Sequence, residues 1–262
     1  SNKFKGPVEK LGLFFYPIQM LQNQDSKIKA NFFDEHDEDG GSKRNLTSWN
    51  LKLVGGLAVL WSLFQLWYAS PLPFIFDFGK FIDVPARAIH LAFGMSLCFL
   101  AYPAFKSGKN KKISLIDFIF VAIALTATLY LYIDYEGLVY RQGILANLKI
   151  FDFKIPYELI LGLFGIILLL EATRRAIGIP LVVIALIFLL FSIFGQIMPH
   201  LISHQGLSFT RLVGYHWFGG EAIFGIPISV SVSFIFLFVL FGSILDTAGG
   251  GKYFLNLAFA LV

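Results

Sequence analysis

The sequence predicts an all-α polytopic membrane protein. Three observations carry that prediction. Apolar runs of about 20 residues, the length that crosses a bilayer as a helix, recur along most of the chain. Of the 262 residues 56% are hydrophobic and only 15% are charged, where a soluble domain carries about a quarter charged residues. The Lys and Arg are scattered between the apolar runs and at their ends. Aromatic residues reach 17%, with 30 Phe, more apolar surface than a soluble core uses. Helix is the expected element because a segment in lipid must satisfy its own backbone.

The net charge of +4 reads as loop charge that sets topology, not as a nucleic-acid footprint. The single cysteine, Cys98, lies in an apolar run. That excludes an intramolecular disulfide framework and a cysteine-rich metal site. The N-terminal residues show no basic, apolar and small-residue cleavage pattern, so no signal peptide is expected.

Residues 1–50 read as a cytoplasmic tail. LGLFFYPIQML (11–21) is too short to span and contains Pro17; it is either an interfacial helix or a loosely packed tail. DEHDEDGGSKR (34–44) reads as a solvated linker. About six complete spans follow, over 51–69, 86–105, 115–133, 157–175, 180–199 and 222–245. A seventh begins near 253. Counting Lys43, Arg44, Lys52, Lys106, Lys109, Lys111, Lys112, Arg174, Arg175 and Lys252, one side of the membrane carries ten basic residues. The other carries six: Lys80, Arg87, Arg141, Lys149, Lys154 and Arg211. The richer side, with the N-terminus, is expected in the cytoplasm.

LEATRRAIGIP (170–180) predicts a tight cytoplasmic hairpin. Arg174 and Arg175 suit a helix C-terminus, where they face the negative end of the dipole and reach headgroups. Gly178 ends one helix, and Pro180 fits the first turn of the next. Glu171 stands three and four residues before the arginines, so it can pair with either. Such a pair is either a structural ion pair at the interface or a tie between two helix bundles.

His200, His204 and His216 fall in one extracytoplasmic segment. His200 and His204, four apart, would share a helix face, but HLISH lacks the acid of a zinc-protease motif. Interfacial histidines are the expectation, with no metal and no cofactor. DTAGGGK (246–252) lacks phosphate-loop spacing and reads as a flexible turn. The connection 133–158 is either a folded surface loop or a docking surface for an extracytoplasmic partner. In 206–254, Arg211, Tyr215, His216 and Trp217 suit an interfacial helix. Gly219 and Gly220 allow a sharp turn into a span. Glu221 would stand at that span's start. Gly225-Ile226-Pro227 echoes Gly178-Ile179-Pro180. Ser229 and Ser233 would share a helix face, for close packing or for a polar path.

EATRRAIGIP, followed by GGEAIFGIPISVSVSFIFLFVLFGSILDTAGGGKYF, resembles the fused membrane subunit of tripartite ATP-independent periplasmic (TRAP) transporters, TAXI class. The resemblance covers 51–262 and is most specific from Glu171 onward. Before that, the outer loop with Tyr140-Arg141-Gln142-Gly143 carries it. It implies a small four-helix component over 51–175 and the start of a large transport component over 176–262, with the junction between 156 and 178. It implies sodium-driven import of a small organic acid, delivered by a periplasmic binding protein, across a bacterial inner membrane. Glu171, Arg174 and Arg175 would sit where the components join. Tyr140, Arg141 and Arg211 would meet the binding protein. Gly178, Pro180, Glu221, Gly225, Pro227 and Gly249 carry over as architectural positions. The family's re-entrant hairpins with Gly-Ser-rich tips do not occur in this sequence. No substrate ligand is therefore assigned, and the sodium site is expected outside this stretch, in further sequence or on a second chain. Two rival readings are a membrane scaffold without transport and a membrane enzyme using the three histidines.

Overall fold

The computed structural model describes residues 44, 48–81, 83–104, 113–141, 144–150 and 153–261. The expectations for 11–21, for the linker up to Lys43, for Lys106 to Lys112 and for Gln142-Gly143 lie outside these residues. The described chain is mainly α-helical, with one short hairpin. In order it runs α1 (Ser48–Ala69), α2 (Leu72–Ile75), α3 (Asp83–Ala101), α4 (Leu115–Ile133), α5 (Tyr135–Tyr140), β1 (Leu148–Ile150), β2 (Phe153–Ile155), α6 (Tyr157–Ala176) and α7 (Ile179–Ile193). After these come α8 (Phe209–Val213), α9 (Ile226–Val230), α10 (Phe236–Thr247) and α11 (Gly250–Leu261). The strands lie in the 133–158 connection and pair antiparallel, Leu148 opposite Ile155.

Among the described residues, four helical stretches are long and apolar enough to cross a membrane: Trp49–Ala69, Asp83–Ala101, Leu115–Ile133 and Ile226–Thr247. The last is α9 and α10 joined through a π-helical turn at Ser231–Ile235. The 20-residue α6 matches them in length and carries Glu158, Arg174 and Arg175 in its terminal turns.

Helix boundaries follow local chemistry. Ser114 caps α4 in a reciprocal capping box with Asp117, which satisfies donors the helix start leaves free. The second span begins at Asp83 rather than 86, because Pro85 is tolerated in a first turn. It ends at Ala101, two residues before Pro103, rather than at 105. The fifth run is shorter than expected. Its helix, α7, ends at Ile193 instead of 199 and has 15 residues, about 22 Å at 1.5 Å each. A 3-10 turn at Gly195–Ile197 replaces the rest. Gly195 lies under the His204 ring, where an added Cβ would come within 2.2 Å of it.

The core lies among α3, α4, α6 and the 209–218 segment. Val84, Ala88, Met95 and Phe99 of α3 pack with Ala124, Ala127 and Leu131 of α4, and with Ile166, Trp217 and Phe218. Small residues sit at the closest approaches, as helix packing in lipid requires. Gly165 lies against the Trp217 indole, where a Cβ would fall 2.3 Å from the ring.

Candidate functional site

The chemistry-bearing side chains gather in three places: the two ends of the antiparallel α4–α6 pair, and a seam between α3 and the 224–235 segment.

At the C-terminal end of α6, Glu171 pairs with both arginines. Arg174 donates to it through Nε at 2.7 Å and Nη2 at 2.8 Å, and Arg175 through Nε at 2.8 Å. Arg175 also donates through Nη1 to Asp117 Oδ1 at 2.7 Å and to the Tyr102 carbonyl at 3.2 Å. The other Asp117 oxygen accepts from Arg44 Nη2 at 2.7 Å. The Arg175 side chain is fully buried. Its guanidinium carbon lies 5.0 and 5.3 Å from the centroids of the Phe99 and Phe120 rings, a cation–π arrangement. Arg174 Nη2 reaches the Ala104 carbonyl at 2.9 Å. The cluster thus ties α6 to the start of α4, the end of α3 and Arg44.

Glu171, Arg174 and Arg175 were legible as a spacing. Asp117 and Arg44 were not singled out. The Ser114-x-x-Asp117 capping pattern was the available signal for Asp117; Arg44 sat in an apparent linker and gave none.

At the other end of the pair the buried charge is an anion. Glu158, 0% exposed, accepts from the Tyr130 hydroxyl at 2.5 Å, from Arg141 and from the Ala146 backbone N–H. Arg141 also donates to Asp134 Oδ2 at 2.8 Å, and the Tyr130 hydroxyl lies 3.0 Å from the same oxygen. The Arg141 guanidinium holds the Asp134 carboxyl below the usual carboxylate range, against the opposing effect of burial. Asp134 in turn pushes Arg141 further up. Arg141 is therefore occupied by two carboxylates, while neighbouring Tyr140 is 90% exposed.

The third place is a polar seam. Arg87 Nη1 donates to the Phe224 carbonyl at 2.8 Å. One α-helical turn along α3, His90 Nε2 lies 3.1 Å from Ser231 Oγ. Trp61 Nε1 lies 3.2 Å from His90 Nδ1, and Gln65 Nε2 contacts the same nitrogen. An indole N–H only donates. Nδ1 is therefore the acceptor, and Nε2 carries the proton and donates to Ser231. The alternating serines separate by role: Ser233 donates to the Ser229 carbonyl at 2.8 Å, while Ser231 faces His90.

The remaining predicted positions fall as follows. Gly178 has φ +119°, a conformation side chains rarely adopt, and Pro180 follows it in the first turn of α7. Gly225 precedes Pro227 in the same way, yet its φ is −80°. Close approach constrains it instead: a Cβ there would lie 2.1 Å from the Glu221 carbonyl oxygen. Glu221 is exposed and does not start the span, which begins at Ile226 rather than 222 because Gly225 and Pro227 restart the helix. Tyr215 donates to it at 3.4 Å. Gly249, φ +82°, turns the chain between α10 and α11.

His200 and His204 do not share a helix face, since 198–208 is non-helical. His204 accepts from the Gly206 N–H at Nδ1 and so donates from Nε2 to the Phe191 carbonyl. His216 bonds the Leu212 carbonyl. Among the described residues, no three His, Cys, Asp or Glu side chains converge as a metal site. Arg211 lines two adjoining clefts at the Arg141 end. One is about 500 Å³, beside Tyr135, Leu138 and Tyr215; the other is about 410 Å³, beside Asn147, Pro156 and Thr210.

Residues 164–262 match the family model described as the tripartite ATP-independent periplasmic transporter, DctM component. The TRAP permease resemblance carried by EATRRAIGIP and the 219–254 stretch is thus shown over those residues. No curated protein and no solved structure matches the chain. The match begins inside α6. The Arg175–Asp117, Arg87–Phe224 and His90–Ser231 contacts therefore each link a matched residue to one that precedes the match.

Proposed function

We propose, from the premise that residues 164–262 carry the large membrane component of a TRAP transporter, that this chain is a membrane subunit of a sodium-coupled secondary transporter. It imports a small organic acid that a periplasmic binding protein delivers. The family match over 164–262 is the single observation that carries this reading. On it, α1, α3, α4 and the first part of α6 form the small component. The ion pairs of Arg175 and the polar seam join that component to the transport component. The Arg175 end faces the cytoplasm, by loop charge. The Arg141 end, with Tyr140 exposed and Arg211 lining two clefts, meets the binding protein. In a secondary transporter, cargo and coupling ion sit at discontinuous helices near the midplane, and those sites are assigned to the rest of the large component.

The test is uptake of a radiolabelled small carboxylate into proteoliposomes. They contain the chain with the rest of its large component, under an inward sodium gradient, with the binding protein outside. Uptake that needs both sodium and binding protein is expected. Uptake that needs neither, or that needs ATP, overturns the proposal. A second reading, a scaffold without transport, is favoured by the buried ion pairs, which suit a static bundle. It predicts assembly with a partner and no uptake in the same assay.

A further inference from the structure

The connection between α1 and α3 reads PLPFIFDFGK over 71–80. It has the length of a loop but not its surface. Phe74, Ile75, Phe76 and Phe78 are 73%, 67%, 65% and 74% exposed. The backbone under them closes on itself. Phe74 and Ile75 donate their N–H groups to the Pro71 carbonyl, each at 3.1 Å, Phe76 to Leu72 at 2.9 Å and Phe78 to Pro73 at 3.2 Å. Leu72 donates to Ser70 Oγ at 3.3 Å, and Pro71 and Pro73 have no N–H to satisfy. Such closure is compatible with water or lipid, but lipid requires it. A segment against lipid has no solvent to use, so its backbone must be satisfied internally.

The polar side chains point the same way. Lys80 is paired with Asp77, and its ammonium lies 5.9 Å from the centroid of the Phe74 ring. The Trp67 indole donates to the Gly79 carbonyl at 3.3 Å and stacks on Phe76, with centroids 6.3 Å apart. The two charges pair with each other, so the segment carries no net charge. The apolar surface continues onto the exposed face of α1 at Val59, Leu60, Leu63 and Leu66, a face that a spanning helix turns to lipid.

We infer that residues 72–78 form an in-plane membrane anchor whose partner is the bilayer. Phe74, Ile75, Phe76 and Phe78 enter the boundary between headgroups and acyl chains, and the Asp77–Lys80 pair stays at headgroup level. The anchor fixes the depth of the α1 C-terminus. This rests on the membrane-spanning reading of α1.

The test uses the full chain with Cys98→Ser, reconstituted in phosphatidylethanolamine–phosphatidylglycerol vesicles. It is spin-labelled singly at Phe74→Cys, Phe78→Cys or, as a reference on α1, Leu60→Cys. All three side chains are more than half exposed, so each label projects outward from the fold. Collision with oxygen is compared with collision with a water-soluble nickel chelate. At Phe74 and Phe78 oxygen is expected to dominate, as at Leu60. Dominance of the nickel chelate there, or loss of both, would overturn the anchor in favour of water or a covering protein. If Leu60 also favours nickel, the spanning reading of α1 fails as well, a result distinct from failure of the anchor alone.

Discussion

The two ends of the α4–α6 pair solve one problem with opposite charges. Each end buries an ion among apolar helices and surrounds it with fixed partners. At the Arg175 end the central ion is a guanidinium, held between Glu171 and Asp117 and faced by two Phe rings. At the Arg141 end it is the Glu158 carboxylate, held by a tyrosine hydroxyl, a guanidinium and a backbone N–H. Glu158 lies in the first turn of α6 and Arg175 in the last, about 25 Å apart at 1.5 Å per residue. The helix dipole favours an anion at its N-terminus and a cation at its C-terminus. One helix therefore sets the sign of both clusters, and the antiparallel α4 supplies the partners: Asp117 from its start, Tyr130 and Asp134 from its end.

The sharpest way to break this comparison is at Arg175. Arg175→Met leaves Asp117 with Arg44 and the Ser114 N–H and removes one of the two arginine partners of Glu171. Breaking a buried pair costs about 3–5 kcal/mol because a charge is left uncompensated. A large fall in the thermal midpoint in detergent is expected. Arg175→Lys should recover little, since Nε and Nη1 hold two different carboxylates and an ammonium lacks that fork. Near-wild-type stability in both variants would mean the cluster contributes little.

Glu158→Gln is the matching change at the other end. Its three donors lose a charged acceptor, and charge-assisted bonds are worth about 1.5–3 kcal/mol each. Gln keeps a carbonyl oxygen that still accepts, and Arg141 keeps Asp134, so only part of that assistance is lost and the expected loss is smaller than for Arg175→Met. A larger loss would reverse the ranking of the two ends.

What the sequence revealed differs between the ends for physical reasons. Glu171, Arg174 and Arg175 were legible because their partners are three and four residues away, and a helix fixes what that spacing does. Asp117 and Arg44 reach the same cluster from 58 and 131 positions earlier, by subtraction from Arg175. No local period reports such a contact. The resemblance places Arg141 in an outer docking loop; its contact with Glu158 depends on the return of α6 against α4, which no local spacing reports. The apolar runs located the helices well, because length in lipid is a strong constraint. They overran at 194–199, where Gly195 and the His204 ring replace helix with a 3-10 turn.

The seam lies between the two ends. Its Arg87 pairs with Asp83 at 3.4 Å within α3, and no ion pair crosses the seam among the described residues, so its expected coupling is weaker. His90→Leu and Ser231→Ala, made singly and together, isolate the His90–Ser231 term. Hydrogen bonds between membrane helices average about 0.6 kcal/mol and reach about 1.7, so coupling within that span is expected. Nitrogen-15 spectra of the histidine ring should show the proton on Nε2. A proton on Nδ1 would contradict the Trp61 contact.

Asp134 should give the smallest effect, and it carries a sign. The carboxyl lies at the C-terminal end of α4, 33% exposed, so solvent screens its pairing with Arg141. Arg141 holds its folded value below the unfolded one. The pair's contribution is therefore complete above the ordinary carboxylate value, about 3.9, and is lost as pH falls through the depressed folded value. Wild type and Asp134→Asn should differ in thermal midpoint by a constant amount from neutral pH down to about 5. They should converge as the medium becomes more acidic than the ordinary carboxylate value. A difference that persists undiminished in strong acid would trace the loss to packing around the Tyr130 hydroxyl rather than to charge. The Arg141 end would then rest on Glu158 alone, as a single buried anion in contrast to the bridged carboxylates at the Arg175 end.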